Sequence, residues 1–187
     1  MSIVALFGDR VNPHHRALAT LPGDKISLMI TMQTLMNTLP QQGIVTWLGV
    51  RPGRDELMQQ PNEVEARSGS GLTGDRFKAS RTLREVTLIQ AEHIDAIASM
   101  MGQNEISPAM LRRNIVVKGL NLLALKGHTF SVGHVQFRFT GLAHPCSKME
   151  RHLGPGGYNA MRGHGGITAS ILQSGIIRLG DPVTLDE

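Results

Sequence analysis

The stretch 127–146, GHTFSVGHVQFRFTGLAHPC, decides the fold that we predict for this chain. Val135, Phe137 and Phe139 alternate with polar residues, which is typical of a β-strand with one apolar face. A tight turn at Gly133-His134 joins this strand to an apolar strand before it, so the pattern predicts a β-hairpin. The hairpin leads directly to Cys146, the one cysteine of the chain.

Short apolar runs of the same kind recur on both sides of this hairpin. They predict strands over 43–50, 84–90, 115–117, 167–172 and 176–185, with Gly180-Asp181-Pro182 breaking the last one. Helices are predicted over 91–101 and from Ser107-Pro108 to Arg112. The polar segment 52–70 is predicted to be a loop. Together these elements indicate a mainly β fold with peripheral helices (α+β), organised as a β-barrel.

The N-terminal part differs from this pattern. We predict that residues 1–42 form an extension with one helix packed on the barrel, and that residues 43–187 form the barrel domain. The helix should span about 26–39, because Leu28, Met32, Leu35, Met36 and Leu39 would share one face. Its methionines are expected to fill the core.

The composition excludes several classes of protein. The chain has 187 residues, 41% of them apolar and 18% charged, which suits a single globular domain. A lone cysteine excludes an internal disulfide or a multi-cysteine zinc site, and a free thiol suits a reducing cytoplasm. With 4% aromatic residues, nucleic-acid binding by stacking is disfavoured. No apolar run approaches the roughly 20 residues that span a bilayer, so no membrane contact is expected.

Cys146 lies in a cationic stretch of sequence. Lys148, Arg151 and His152 follow it and His144 precedes it. Cationic neighbours favour the thiolate, which is the form that attacks electrophiles and binds soft metals. The alternative is that Cys146 is a small buried hydrophobic residue, the commonest role of a lone cysteine.

Two glycine clusters and an arginine pair offer further anion-binding groups. The clusters 154–157 and 163–166 can point backbone N–H groups at an anion, although glycine clusters are more often simple turns. Arg112 and Arg113, beside Asn114 at a helix–strand junction, can clamp an anion with two hydrogen bonds. Equally, they can be solvated arginines at a helix end.

A series of short motifs follows in a fixed order along the chain: Gly74-Asp75-Arg76, Arg84-x-Val86-Thr87-Leu88-Ile89, Arg112-Arg113-Asn114-Ile115-Val116-Val117-x-Gly119, Leu123-x-x-x-Gly127, Phe130-x-x-Gly133, Pro145-Cys146, Gly163-x-Gly165-Gly166-Ile167, Gly175 and Gly180-Asp181. This ordered series resembles the MOSC domain, named after the C-terminal part of molybdenum cofactor sulfurases. The resemblance covers roughly residues 43–185.

The resemblance implies a β-barrel and one of two activities. Some members bind the molybdenum cofactor, a pyranopterin dithiolene with a phosphate, and reduce N-hydroxylated compounds with a cysteine thiolate, here Cys146, as molybdenum ligand. Others are viewed as sulfur carriers that hold a persulfide on the same cysteine. We assign Cys146 and His144 to catalysis, His144 or His152 as a proton relay. The expected cofactor-binding residues are Arg76, Arg112, Asn114, Arg162, Gly163, Gly165 and Gly166.

These expectations define the partners. The chain carries no iron–sulfur cysteines and no flavin or nicotinamide fingerprint, so an enzyme of this kind needs a separate flavin or iron–sulfur reductase to reduce N-hydroxylated or N-oxide substrates. A sulfur carrier needs a cysteine desulfurase, whose pyridoxal phosphate belongs to that partner and not to this chain. A zinc site from Cys146, His152 and His164 is disfavoured by its spacing.

Overall fold

A computed structural model describes residues 31–40, 42–77 and 83–186. None of the helices in these ranges is long and apolar enough to cross a membrane. The elements, in chain order, are α1 (Met32–Asn37), β1 (Gly43–Leu48), β2 (Glu63–Arg67), β3 (Gly71–Leu72), β4 (Val86–Gln90), α2 (Ala91–Met100), α3 (Pro108–Leu111), β5 (Ile115–Lys118), a 3-10 helix (Leu122–Leu125), β6 (Thr129–Val132), β7 (Val135–Leu142), α4 (Ser147–Leu153), α5 (Gly157–Ala160), β8 (Ile167–Gln173), β9 (Gly175–Arg178) and β10 (Pro182–Leu185).

Seven of the described strands close into a barrel in the order β1-β10-β6-β7-β8-β4-β5. All neighbours are antiparallel except β4 and β5, which are parallel. The predicted hairpin is its β6–β7 pair, and the rings of Phe130 and Phe137 stack inside the barrel with centroids 5.5 Å apart. The predicted mainly β fold with a barrel and peripheral helices is confirmed.

The register of three strands places the end of β1 beside the starts of β4 and β5. Leu48 at the end of β1 pairs with Ile115 at the start of β5, and Ile115 pairs with Leu88 of β4. Since β1 runs against β5 and β4 runs with it, the segment after β1 and the segments before β4 and β5 leave the barrel at the same end.

The helices cover the outside of this part of the barrel. Inward residues of β4 and β5 such as Leu88 belong to the barrel core, whereas Ile89 and Val116 point outward and are also buried. They pack beneath Ile97 of α2 and Met149 of α4. A parallel strand pair buried on both faces has a continuous apolar sequence, and β4 and β5 show this pattern.

Beside the barrel, β2 pairs with β3 and β9 in a small sheet. The prediction that 52–70 is all loop is therefore wrong for Glu63–Arg67. Val64 and Ala66 are buried while the three charged residues of this strand face outward, so the burial alternates although the segment as a whole is polar. The predicted break at Gly180-Asp181 is confirmed, because it separates β9 in the small sheet from β10 in the barrel.

The predicted helix over 26–39 lies partly outside the described residues. Its described part is α1, and Met32, Leu35 and Met36 are exposed there. The expectation that these methionines fill the core is wrong. Among the described residues of the predicted face, Leu39, which follows the helix, is the one that packs partly against the barrel core.

Candidate functional site

Arginines converge where β1 ends and β4 and β5 begin. They line a pocket of about 420 Å³, which we call the arginine pocket. Its two acidic residues are already engaged by backbone N–H groups: Asp75 accepts from Arg51, and Glu85 accepts from Gly69 and Ile171. The pocket therefore has a surplus of positive charge that suits an anion. Its described lining residues are Arg51, Asp75, Arg76, Phe77, Arg84, Glu85, Thr87, Arg112 and Asn114.

Arg51 is held in the wall of this pocket by its backbone. Its N–H donates to Asp75 Oδ1 at 2.7 Å, and its carbonyl accepts from Arg76 N at 2.8 Å. Its Nε is buried and has no hydrogen-bond partner among the described residues. Burial lowers the pKa of Arg51, Asp75 opposes this, and the nearby Arg112 and Arg76 lower it further. A half-buried arginine whose buried Nε has no partner among the described residues is a ready donor to an anionic ligand.

Arg112 follows α3 in a left-handed backbone conformation, with φ 57° and ψ 38°. This conformation is uncommon for residues other than glycine and costs about 1 kcal/mol or more. The turn places the side chain of Arg112 in the lining of the arginine pocket. Left-handed residues are common at helix ends, and strained ones also cluster at functional sites, so the conformation of Arg112 is consistent with both.

Asn114 is also in the pocket wall, but most of its hydrogen-bonding capacity is used within the protein. Its Oδ1 accepts from the backbone N–H of Thr87 at 3.1 Å and from the Thr87 hydroxyl at 2.7 Å. Its Nδ2 donates to the carbonyl of Gly49 at 3.1 Å. Asn114 thus fastens the start of β5 to β4 and to the segment after β1, and gives the pocket its shape.

Arg113 has neither of the two roles considered for the arginine pair, because its guanidinium is buried and used within the protein, where it joins the segments of the site. It is only 7% exposed, and its Nε donates to the carbonyl of Gly165 at 2.7 Å. Its two terminal nitrogens donate to the carbonyls of Leu111 at 3.1 Å and Ala143 at 2.8 Å. Burial lowers the pKa of Arg113 to about 10, and the proximity of Cys146 opposes this shift. An arginine pair in a sequence gives no sign of which member is buried.

Cys146 is exposed, directly before α4, and is not the buried residue of the alternative interpretation. Cys146 lies close enough to Arg113 to interact with it electrostatically. Arg112 and Arg51 of the arginine pocket also interact electrostatically with Arg113. Lys148 of α4 binds Asp55 Oδ1 at 3.0 Å and ties the helix to the loop after β1. This contact lowers the pKa of Asp55 through the hydrogen bond and charge of Lys148, with smaller contributions from Arg54 and Arg112.

The glycine clusters have structural roles. A side chain on Gly165 would collide with the carbonyl of Ala143, and one on Gly166 with the carbonyl of Leu88. In the first cluster, the backbone N–H groups of Gly156 and Tyr158 each donate at 2.8 Å to the carboxylate of Glu150. The anion held by these N–H groups is therefore a side chain of the protein itself.

Other predicted residues lie away from the arginine pocket. His144, Arg162 and Gly163 line a separate surface cleft together with Pro145 and Tyr158. His152 Nδ1 is 3.2 Å from the carbonyl of Met110, and the ring of His164 packs edge-on against His93. Among the described residues, no three His, Cys, Asp or Glu side chains come together as a metal site.

Comparison with known proteins extends this description. No functionally curated protein is similar enough in sequence to count as a relative. The YuaD protein of Bacillus subtilis has a similar structure, with a TM-score of 0.67 and 18% identity over 79% of this chain and 98% of that one.

YiiM proteins are similar in fold as well. YiiM of Geobacillus stearothermophilus matches with a TM-score of 0.62 and 18% identity, over 78% of this chain and 75% of that one. YiiM of Escherichia coli matches with a TM-score of 0.60 and 22% identity, over 79% and 71%. The family model of the MOSC domain matches residues 74–184, which include the arginine-pocket residues from Asp75 to Asn114 as well as Cys146. This chain belongs to the MOSC domain family.

Proposed function

We propose that this protein binds the molybdenum cofactor, with the Cys146 thiolate as a molybdenum ligand, and reduces N-hydroxylated or N-oxide compounds. The observation that carries the proposal is an arginine pocket and an exposed cysteine that both interact electrostatically with the buried Arg113. A guanidinium-lined pocket suits a phosphate, and a thiolate suits a soft metal. In the MOSC family, a phosphate and a metal ion are both parts of one ligand, the molybdenum cofactor.

The residues present fit such a cofactor. A volume of about 420 Å³ lies in the usual range for small-molecule sites. Arg51 Nε, buried and without a partner among the described residues, is a donor for a phosphate oxygen. Cys146, exposed directly before α4, would be the protein's ligand to the metal, and the remaining ligands would come from the sulfur atoms of the pterin itself.

The chain's own residues would bind and orient the cofactor. When bound, the cofactor supplies the oxygen-atom transfer, in which the N–O bond is cleaved with two electrons and two protons to give the amine and water. Arg51, Arg76 and Arg112 bind the phosphate and fix the orientation of the pterin. Arg113 holds the carbonyl of Ala143, and Lys148 holds α4, so that Cys146 stays beside the pocket. His144, exposed two residues before Cys146, is the candidate to hold and deliver a proton.

The experiment is a reductase assay with a chemical electron donor, which removes the need for the separate flavin or iron–sulfur reductase. Protein from a host that makes the molybdenum cofactor is assayed with an N-hydroxylated test compound and reduced viologen. Cys146→Ala should lower turnover by about 100-fold or more, because a direct ligand should matter at least as much as the outer-shell residues whose loss costs about 10–100-fold. The control Ser147→Ala changes an exposed neighbour and should retain activity. Turnover by Cys146→Ala equal to that of the wild type would refute the ligand role.

A sulfur-carrier function is the second candidate, and the exposure of Cys146 favours it. A thiol that accepts sulfur from a partner enzyme must be reachable by that enzyme. Incubation with cysteine and a pyridoxal-phosphate-dependent cysteine desulfurase would then leave cyanolysable sulfur on Cys146. If sulfur accumulates on the wild type and not on Cys146→Ala, while the reductase assay is negative, the carrier function replaces the first proposal.

A further inference from the structure

A second cavity of about 160 Å³ shares no described lining residue with the arginine pocket. It lies between the end of β4, the 3-10 helix and the segment that follows β7. We call it the leucine cavity and define it by Leu122, Leu123, Leu142, Ile167, His93 and His144. A cavity of this volume with apolar walls holds about one benzene-sized ring.

The mouth of the leucine cavity is apolar. Leu122 and Ile167 are buried inside it, whereas Leu123 and Leu142 at its edge are 47% and 41% exposed. Large apolar side chains left in contact with water around a concavity are typical of a binding site for an apolar group. A ligand seated in the cavity would cover both leucines and remove them from water.

The polar groups in the walls favour an uncharged ligand. Gln90 already uses its Oε1 to accept from the backbone N–H of Leu122 at 3.1 Å. The ring of His93 is fixed edge-on against His164, with centroids 4.9 Å apart and planes at 84°. Burial lowers the pKa of His93, the nearby His164 lowers it further, and Glu92 opposes them. A neutral imidazole offers an aromatic face or edge and no charge, so it packs well against another aromatic ring.

We propose that the leucine cavity is a binding site for a small molecule with one uncharged six-membered aromatic ring. The ring would lie among the leucines and His93. Its polar substituent would point past His144 toward the adjacent cleft, which His144 and Pro145 also line. This site is inferred from the volume and the lining residues of the cavity, and it does not depend on molybdenum binding.

The test uses phenol as the probe and protein made in a host that lacks the molybdenum cofactor. Phenol should bind with a Kd on the order of 1 mM or below, as the size of the molecule allows. The backbone amide signals of Gly163, Gly165 and Ile167 in ¹H–¹⁵N spectra should shift on titration, since these residues line the cavity. 2-Naphthol should bind more weakly although it is more hydrophobic, because its second ring exceeds the volume available.

Matched substitutions localise the binding. Leu142→Glu puts a charge at the mouth and should raise the Kd for phenol about tenfold. Leu179→Glu changes a leucine that is equally exposed, at 43%, and does not line the cavity, so it should leave the Kd unchanged. Absence of amide shifts up to about 10 mM phenol, tighter binding of 2-naphthol, or equal effects of the two substitutions would overturn the inference. None of these results bears on the reductase assay, so the two proposals fail separately.

Discussion

Arg112 has a strained backbone and its side chain lines the arginine pocket. Substitutions can separate the effect of the strain on stability from the effect of the side chain on cofactor binding. Glycine adopts the left-handed conformation of Arg112 at little cost, so Arg112→Gly should raise the free energy of unfolding by up to about 1 kcal/mol. The same change removes a guanidinium and should lower cofactor retention about tenfold or more, the usual effect of losing a charged hydrogen bond. Urea denaturation and molybdenum content of the purified protein measure the two effects.

The control for this prediction is Arg112→Ala, which removes the guanidinium and keeps the side-chain penalty for a left-handed backbone. It should retain as little cofactor as Arg112→Gly but be less stable. If both variants keep wild-type cofactor content, Arg112 is a helix-end residue and not a ligand of the cofactor.

Arg113 should be the arginine on which folding depends. Arg113→Met leaves three carbonyls, those of Leu111, Ala143 and Gly165, without their buried donor. Each unsatisfied buried carbonyl costs about 1 kcal/mol or more, so the loss should reach about 3–5 kcal/mol in a denaturant titration. Arg162→Met, at an exposed arginine, should change the stability by less than about 0.5 kcal/mol. Similar small losses for both would show that Arg113 does not hold these segments.

At the scale of the element, Gly163 and Gly166 form a matched pair. Both have φ near 80°, so alanine is strained to the same degree at either position. A Cβ at Gly163 meets open space, whereas one at Gly166 meets the carbonyl of Leu88. Gly166→Ala should therefore be less stable than Gly163→Ala by at least about 2 kcal/mol, measured by denaturant titration. Equal losses of stability for the two variants would mean that backbone strain alone, and not the contact with Leu88, accounts for the glycine at position 166.

The turn between α4 and α5 should be sensitive to acid through Glu150. The N–H groups of Tyr158 and Gly156 lower the pKa of this carboxyl in the folded protein. A lowered folded pKa gives stability that is present above the unfolded pKa and is lost as pH falls through the folded value. Glu150→Gln should thus be less stable than the wild type at pH 7, and the two urea midpoints should converge below about pH 4.

The control is Glu105→Gln, which changes an exposed glutamate outside this turn. Its urea midpoint should follow that of the wild type across the same pH range. A constant difference between Glu150→Gln and the wild type at every pH would instead assign the effect of Glu150 to packing.

The elements differ in how well the sequence predicts them. Alternation in β7 and the continuous apolar runs of β4 and β5 reflect burial by immediate neighbours, and these strands are predicted correctly. The strand β2 is missed because Val64 and Ala66 are its only buried residues, and its partner strand β9 lies more than a hundred positions away in the sequence. The helix α4 has Met149 and Leu153 as its buried residues, four positions apart in an otherwise polar and charged stretch, which is a weak helical signal.

The site shows the same limit at the level of single residues. Cys146, Arg76 and Arg112 could be selected from the sequence because their chemistry and order resemble a known family. The buried Nε of Arg51 and the carbonyl contacts of Arg113 arise only when segments distant in sequence meet. The role of Glu150 in the first glycine cluster was likewise not evident, because a glycine-rich stretch does not indicate which anion its N–H groups bind.

At the scale of the whole molecule, the arginine pocket and the leucine cavity differ in chemistry. The arginine pocket opens where β1 ends and β4 and β5 begin, and the leucine cavity lies by the far end of β4. Arg113 links the two, since it binds the carbonyls of Ala143 and Gly165, which line the leucine cavity, and lies in the chain between Arg112 and Asn114, which line the arginine pocket. The family resemblance predicts the barrel, but the separation of His144 from the arginine pocket depends on the path of the chain after β7.

The molybdenum content of the purified protein tests the central claim most directly. We would measure it by mass spectrometry in wild type, Cys146→Ala and Ser147→Ala, all produced in one host that makes the molybdenum cofactor. The proposal predicts about one molybdenum per chain in wild type and Ser147→Ala, and at least about tenfold less in Cys146→Ala, since loss of even an outer-shell partner costs about 10–100-fold in metal affinity. Wild-type protein without molybdenum, or a Cys146→Ala variant that retains all of it, would contradict the assignment of Cys146 as the molybdenum ligand.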